Sequence, residues 1–150
     1  MIWLLDTNAI IYAQYVGGRV RERLDEASTR GRIVTSVLVV AELFYGAAKS
    51  SRPEANRRKV EEIIRAVEVL PVSIGSAARF GALKQQLASR GRVKADVDLH
   101  IAAAAIEAAA TLVTNDGALL SGDIEGSSPK IGSDGPGDAR SGRVKPFKMG

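Results

Sequence analysis

The chain has 150 residues, 45 % hydrophobic and 25 % charged, which points to one domain with a single core. It has no cysteine and only one histidine, His100. Disulfides, thiolate chemistry and a multi-histidine zinc site are thereby excluded, and any metal must rely mainly on oxygen ligands, which favours magnesium or manganese. No apolar run is long enough to span a membrane, and Met1 to Asp6 lacks the features of a signal peptide, so a cytoplasmic location is expected. The net charge of +4 mildly favours a polyanionic partner.

Ile2 to Leu5 is a short apolar run that ends at Asp6-Thr7-Asn8, a strand-to-turn signal. Val20 to Ser28 has the spacing of an amphipathic helix, and Gly31 introduces the β-branched run Ile33-Val34-Thr35. Ser36 is a candidate N-cap for a helix through Ala48. Pro53 suits the first turn of the next helix, which carries Arg57, Arg58 and Lys59, a run that reads as a solvent face. Val69 to Ile74 reads as a third strand, at an edge because of Pro71. Ala77 to Arg90 reads as a helix closed by Gly91, and Asp96 to Ala110 as an alanine-rich helix. Thr111 to Thr114 then reads as a fourth strand.

Strands alternating with helices predict an α/β fold, with a mostly parallel sheet of four to five strands covered on both faces. Such sheets bind ligands at the carboxyl ends of their strands, where Asp6 and Asp116 both fall on this reading. Residues 122–150 hold six apolar residues against seven glycines, three prolines and four serines. That composition gives little apolar surface to offset ordering entropy, so the expectation is a folded domain over 1–121 followed by a disordered tail over 122–150.

Four acids stand among apolar neighbours: Asp6, Glu42, Asp98 and Asp116. A carboxylate in a core-facing segment is costly unless it is paired or binds a metal. Each has an ordinary alternative as well. Asp6 can cap the following turn, Asp98 can sit in the first turn of its helix, Glu42 can face solvent, and Asp116-Gly117 is a common turn pair. Several carboxylates converging on one point would repel one another and call for a divalent cation.

Leu4-Leu5-Asp6-Thr7-Asn8, Val40-Ala41-Glu42-Leu43-Phe44-Tyr45-Gly46, Asp98-Leu99-His100-Ile101-Ala102-Ala103 and Leu112-Val113-Thr114-Asn115-Asp116 resemble, in order, the four motifs of the PIN domain. More narrowly they resemble its VapC-type toxin branch, from residue 2 to about residue 120. The resemblance implies a three-layer PIN-like fold and a metal-dependent endoribonuclease that acts as the toxin of a toxin–antitoxin pair. It also implies an RNA substrate, a cognate antitoxin and a homodimer.

By the same resemblance Asp6, Glu42, Asp98 and Asp116 would surround Mg2+ or Mn2+. Asp6 and Asp98 would be direct ligands, while Glu42 and Asp116 would act through water or position the attacking water. Thr7, Asn8, Thr114 and Asn115 would hold the carboxylates by hydrogen bonds. Asp96 competes with Asp98 for the third position, but the motif frame selects Asp98 and leaves Asp96 as an N-cap or outer acid. His100 is two residues from Asp98 and should face away from it. Arg92 and Lys94, just before the Asp98 helix, are candidate RNA-phosphate contacts or a solvated basic loop. The family's final apolar strand has no clear counterpart after Leu119-Leu120. A PIN nuclease of RNA maturation or DNA processing, and an inactive PIN-fold binding module, are the alternatives.

Overall fold

The computed structural model describes residues 1–15, 25 and 28–114. Its elements are β1 (Ile2–Leu5), α1 (Thr7–Tyr15), β2 (Arg32–Ser36), α2 (Val37–Ala48), α3 (Pro53–Ala66), β3 (Glu68–Leu70), α4 (Ile74–Ser89), α5 (Asp96–Glu107) and β4 (Thr111–Val113). The four strands form one parallel sheet in the order β3-β2-β1-β4, flanked by helices as expected. Leu4 faces Val34 on one side and Leu112 on the other, so β1 is central and buried toward its carboxyl end.

The chain moves outward from β1 to β2 and β3, then returns to the opposite side of β1 with β4. That reversal opens the topological switch point between the carboxyl ends of β1 and β4. One core cluster joins Leu4, Leu5, Ile33 and Val34 of the sheet to Ile10, Val39, Leu43, Val60 and Ile63, with Ile101 and Ala104 from α5. A second cluster, Leu83, Leu87, Leu99, Ala102 and Ala103, seals α4 against α5. The small side chains of the Ala102–Ala105 run let α5 lie close to its neighbours.

Local signals account for most element ends. The Ser36 hydroxyl accepts from the Leu38 amide to start α2, and Pro53 occupies the first turn of α3. Helix α4 ends in a Schellman motif, with Gly91 at φ +67° and the Arg92 amide donating to the Leu87 carbonyl. Helix α5 ends in the same way with Ala109 at φ 50°, a conformation that costs a non-glycine residue on the order of 1 kcal/mol.

Four expectations need correction. The chain does not merely turn after Asp6 but enters α1 at once, because Asp6 caps a helix whose Ile10 reaches the core. The third strand is Glu68–Leu70 and stops before Pro71, although it is the edge strand that Pro71 suggested. Ile74 is the first residue of α4, since Ser73 and Ser76 form a reciprocal capping box that starts the helix three residues earlier than Ala77. Helix α5 ends at Glu107, and Ala108 to Ala110 form the turn into β4. The Val20–Ser28 helix lies almost wholly outside the described residues, as do Asn115, Asp116 and the 122–150 segment.

Candidate active site

The register Leu5↔Val113 sets the residues that follow these two strands side by side, and the Asp6 amide donates to the Val113 carbonyl at 3.1 Å. Asp6 is only 4 % exposed. Its Oδ1 accepts from the Ala9 amide at 2.7 Å, an N-cap bond to the third residue of α1, and its Oδ2 accepts from the Thr114 hydroxyl. The carboxylate is thus fixed from two directions, by the start of α1 and by the end of β4. The reading of Asp6 as a cap holds, with a helix in place of the turn.

Glu42 is half-buried on α2, and its Oε2 accepts from the Thr7 hydroxyl. Thr7 is the first residue of α1, directly after Asp6, so this bond draws the second acid to the mouth of the same crevice. Thr7 and Thr114 therefore each donate to a different carboxylate. Asn8 is exposed on α1.

Asp98 is half-buried in the first turn of α5 together with Asp96. The short turn Ala108–Ala110 sends α5 into β4, so helix and strand run in opposite senses. The first turn of α5 accordingly lies toward the sheet edge that carries Asp6 and Thr114. Asp96 is exposed and pairs with Lys84 of α4 at 2.9 Å, an outer acid and not the N-cap, which is Ala95. The His100 ring stacks on Phe80, with centroids 3.8 Å apart and planes 2° from parallel, turned into the α4–α5 interface. Arg92 is exposed and Lys94 half-buried in the loop between α4 and α5.

The donors assembled here are carboxylate and hydroxyl oxygens, a set that suits a hard divalent cation. Among the described residues no three acidic or imidazole side chains are gathered closely enough to hold an ion between them, and Asp116 lies outside those residues. The sequence offers Asp6 as a turn cap without naming its donor, the Ala9 amide, and it does not offer the pairing of Thr7 with Glu42. The first had a signal: an aspartate three residues before Ala9-Ile10-Ile11 is a helix-start pattern. The second joins residues 35 apart and had none.

The PIN domain family matches residues 3–123. Ribonuclease VapC2 of Haemophilus influenzae is 36 % identical over 115 residues, covering 76 % of this chain and 86 % of that protein. The tRNA(fMet)-specific endonuclease VapC of Shigella flexneri is 32 % identical over the same shares of the two chains. Among solved structures, VapBC2 from Rickettsia felis bound to a promoter DNA fragment superposes with a TM-score of 0.74 at 31 % identity. That match covers 84 % of this chain and 95 % of the other. DNA-bound VapBC from Salmonella typhimurium gives 0.68 at 33 % identity, covering 77 % and 86 %. With a buried aspartate at the switch point of a four-stranded parallel sheet, and a match that spans every described element, the chain belongs to the PIN-domain family, in its VapC branch of ribonucleases.

Proposed function

We propose that this chain is a cytoplasmic endoribonuclease that hydrolyses RNA phosphodiester bonds with the help of Mg2+ or Mn2+, as the toxin of a toxin–antitoxin pair. The observation that carries the reading is Asp6: a carboxylate 4 % exposed, at the switch point, oriented by Thr114 and the Ala9 amide. Kinship supports it, since relatives named ribonuclease VapC cover most of this chain. No helix among the described residues is long and apolar enough to cross a membrane.

Asp6 and Asp98 would hold the cation directly, with Glu42 and Asp116 reaching it directly or through water. When bound, such an ion makes water acidic enough to attack at neutral pH and screens the charge that builds on the phosphate. The chain's own residues do the positioning. Thr114 and Ala9 fix both oxygens of Asp6, so the carboxylate meets its ligand without paying rotamer entropy. Thr7 aims Glu42 at the crevice, where it orients the attacking water. By the family resemblance Asn8 and Asn115 would support the carboxylates, and Arg92 and Lys94 would meet RNA phosphates. The antitoxin covers this acidic crevice with a basic side chain, and the active form is a homodimer. Structures of relatives are VapBC complexes, which favours the antitoxin partner.

The test combines cleavage with melting. Wild type should cut single-stranded RNA in Mg2+ and not in EDTA, and a hundredfold excess of Mg2+ over its dissociation constant should add about 2.7 kcal/mol of stability. Asp98→Asn should cleave no RNA and lose most of that gain. A protein whose melting ignores millimolar Mg2+ and Mn2+, or an Asp98→Asn variant that cleaves at near wild-type rate, refutes the reading.

A further inference from the structure

Helix α2 carries, beyond Glu42, a stripe that the fold itself does not use. Tyr45 and Lys49 stand three and seven residues after Glu42, so all three share one helix face, with Tyr45 about 4.5 Å further along the axis. Tyr45 is 67 % exposed, a large aromatic ring presented to solvent. The Lys49 ammonium sits 4.9 Å from its centroid. One residue on, Gly46 stands in the last turn of the helix, at a position where glycine adds no helix propensity. A Cβ at Gly46 would meet nothing within 4 Å, so no packing inside the described chain requires a glycine there. Phe44, two residues from Glu42 and so on the opposite flank of the helix, is half-buried, with the Arg57 guanidinium 5.8 Å from its ring centre.

An exposed ring capped by a cation, next to a stretch of backbone without a side chain, is what a flat, negatively charged ligand would use. The stripe starts at an acid of the candidate active site. Resting on the ribonuclease reading, we infer that Tyr45 is a stacking platform for a base of the substrate RNA next to the scissile phosphate, with Lys49 taking a neighbouring phosphate. The ammonium then exchanges a cation–π contact for a phosphate contact, and the ring face it covered becomes free for the base. Gly46 leaves the room this requires. Such stacking is tolerant of sequence, so the platform holds the strand and leaves the choice of cleavage sequence to other contacts. The exposed strip Val37, Ala41 and Ala48 on the other side of Tyr45 is what a protein partner would cover instead, and that occupant is the competing outcome.

The experiment measures steady-state cleavage of a short single-stranded oligoribonucleotide in Mg2+. In parallel it measures quenching of 2-aminopurine, placed at successive positions of that oligoribonucleotide, with calcium replacing magnesium. Tyr45→Ala should raise KM about five- to hundredfold, the range for loss of one stacked base, with kcat within twofold. It should also abolish quenching at one position. Tyr45→Phe, which keeps the ring, should restore both. Lys49→Ala should reduce the slope of log affinity against log salt by about one. Gly46→Leu should melt at or above the wild-type temperature yet bind RNA more weakly, a split that a structural role for Gly46 would not give. Unchanged KM and quenching in Tyr45→Ala overturn the proposal. A change in sedimentation mass or in affinity for the antitoxin, with RNA binding intact, also overturns it and makes the surface a protein interface. If wild type quenches but cuts no RNA, the nuclease reading fails while the platform stands.

Discussion

Replacing Thr114 by valine tests the geometry at Asp6 most directly, because it removes one hydroxyl and little else. Thr114 is 3 % exposed and Asp6 4 %, so water cannot step in for the lost donor. A hydrogen bond to a charged group contributes about 1.5–3 kcal/mol, and an unsatisfied buried acceptor is costly. For a chain of this size each kcal/mol moves the melting temperature by roughly 2–4 °C, so Thr114→Val should melt about 5–10 °C lower at pH 7. Thr35→Val is the internal control. Thr35 is fully buried at 0 % and donates to the neutral Leu5 carbonyl at 2.8 Å, a bond in the range of about 0.5–1.5 kcal/mol. The comparison isolates charge from burial. Thermal and guanidinium unfolding of both variants, of Asp6→Asn and of Asp6→Asn/Thr114→Val completes a double-mutant cycle. In the Asp6→Asn background the cost of Thr114→Val should fall to that of Thr35→Val. Cleavage by Thr114→Val should drop about 10–100-fold, the usual range for a residue that orients a metal-binding carboxylate. A Thr114→Val protein no less stable than Thr35→Val, or a cost unchanged by Asp6→Asn, refutes the argument that this hydroxyl holds the Asp6 charge.

Gly31→Ala should destabilise by about 1–3 kcal/mol, because its methyl would lie 2.6 Å from the Trp3 ring and 2.7 Å from the Met1 carbonyl, which itself accepts from the Arg32 amide. Chemical denaturation measures the loss, and the Trp3 emission spectrum should shift with it. Arg32 and Glu68 tie β2 to β3 through Nε–Oε2 at 2.7 Å and a second contact from Nη2, and the Arg32 hydrogen bond holds the Glu68 carboxyl below its ordinary value of 4.5. A lowered folded-state pKa contributes stability above the unfolded value, and that contribution disappears as pH falls through the folded one. Glu68→Gln should therefore narrow its gap from wild type below about pH 4.5, and 1 M salt should shrink the small difference at pH 7 because the pair is exposed. Urea midpoints between pH 3 and pH 7 give the comparison.

The architecture was legible where one local signal dominated. Ser36 and Pro53 marked helix starts because each offers a single physical device, a side-chain acceptor or a preset φ. Gly91 marked the end of α4 for the same reason. The matching end of α5 is not legible in the sequence because Ala109 takes the left-handed conformation without being glycine, and alanine reads as a helix former. The sequence pattern extends the third strand too far because Val72 and Ile74 look like strand residues. In the fold they are 47 % and 90 % exposed, past a strand that Pro71 and the Ser73–Ser76 capping box terminate. Both errors share a cause: β-branched or helix-favouring side chains were weighed without the backbone bonds that decide where an element stops.

The site divides along the same line. That Asp6 matters could be read from one carboxylate closing an apolar run, since burial of a charge must be compensated wherever the chain goes next. How it is compensated could not. The Thr114 hydroxyl reaches Asp6 across 108 residues, and Thr7 reaches Glu42 across 35, so both depend on the order β3-β2-β1-β4 bringing distant strand ends together. A parallel sheet makes such contacts inevitable at its carboxyl edge, where successive strands deliver their next residues to one line. Sequence motifs at strand ends are thus readable as members of a site before any of their mutual contacts are. The partner of each carboxylate becomes known only when the register, Leu5 beside Val113, is fixed. By the same logic the sequence does not single out Tyr45: inside Glu42-Leu43-Phe44-Tyr45 it reads as one more apolar residue, and only its 67 % exposure separates it from Leu43, which is buried.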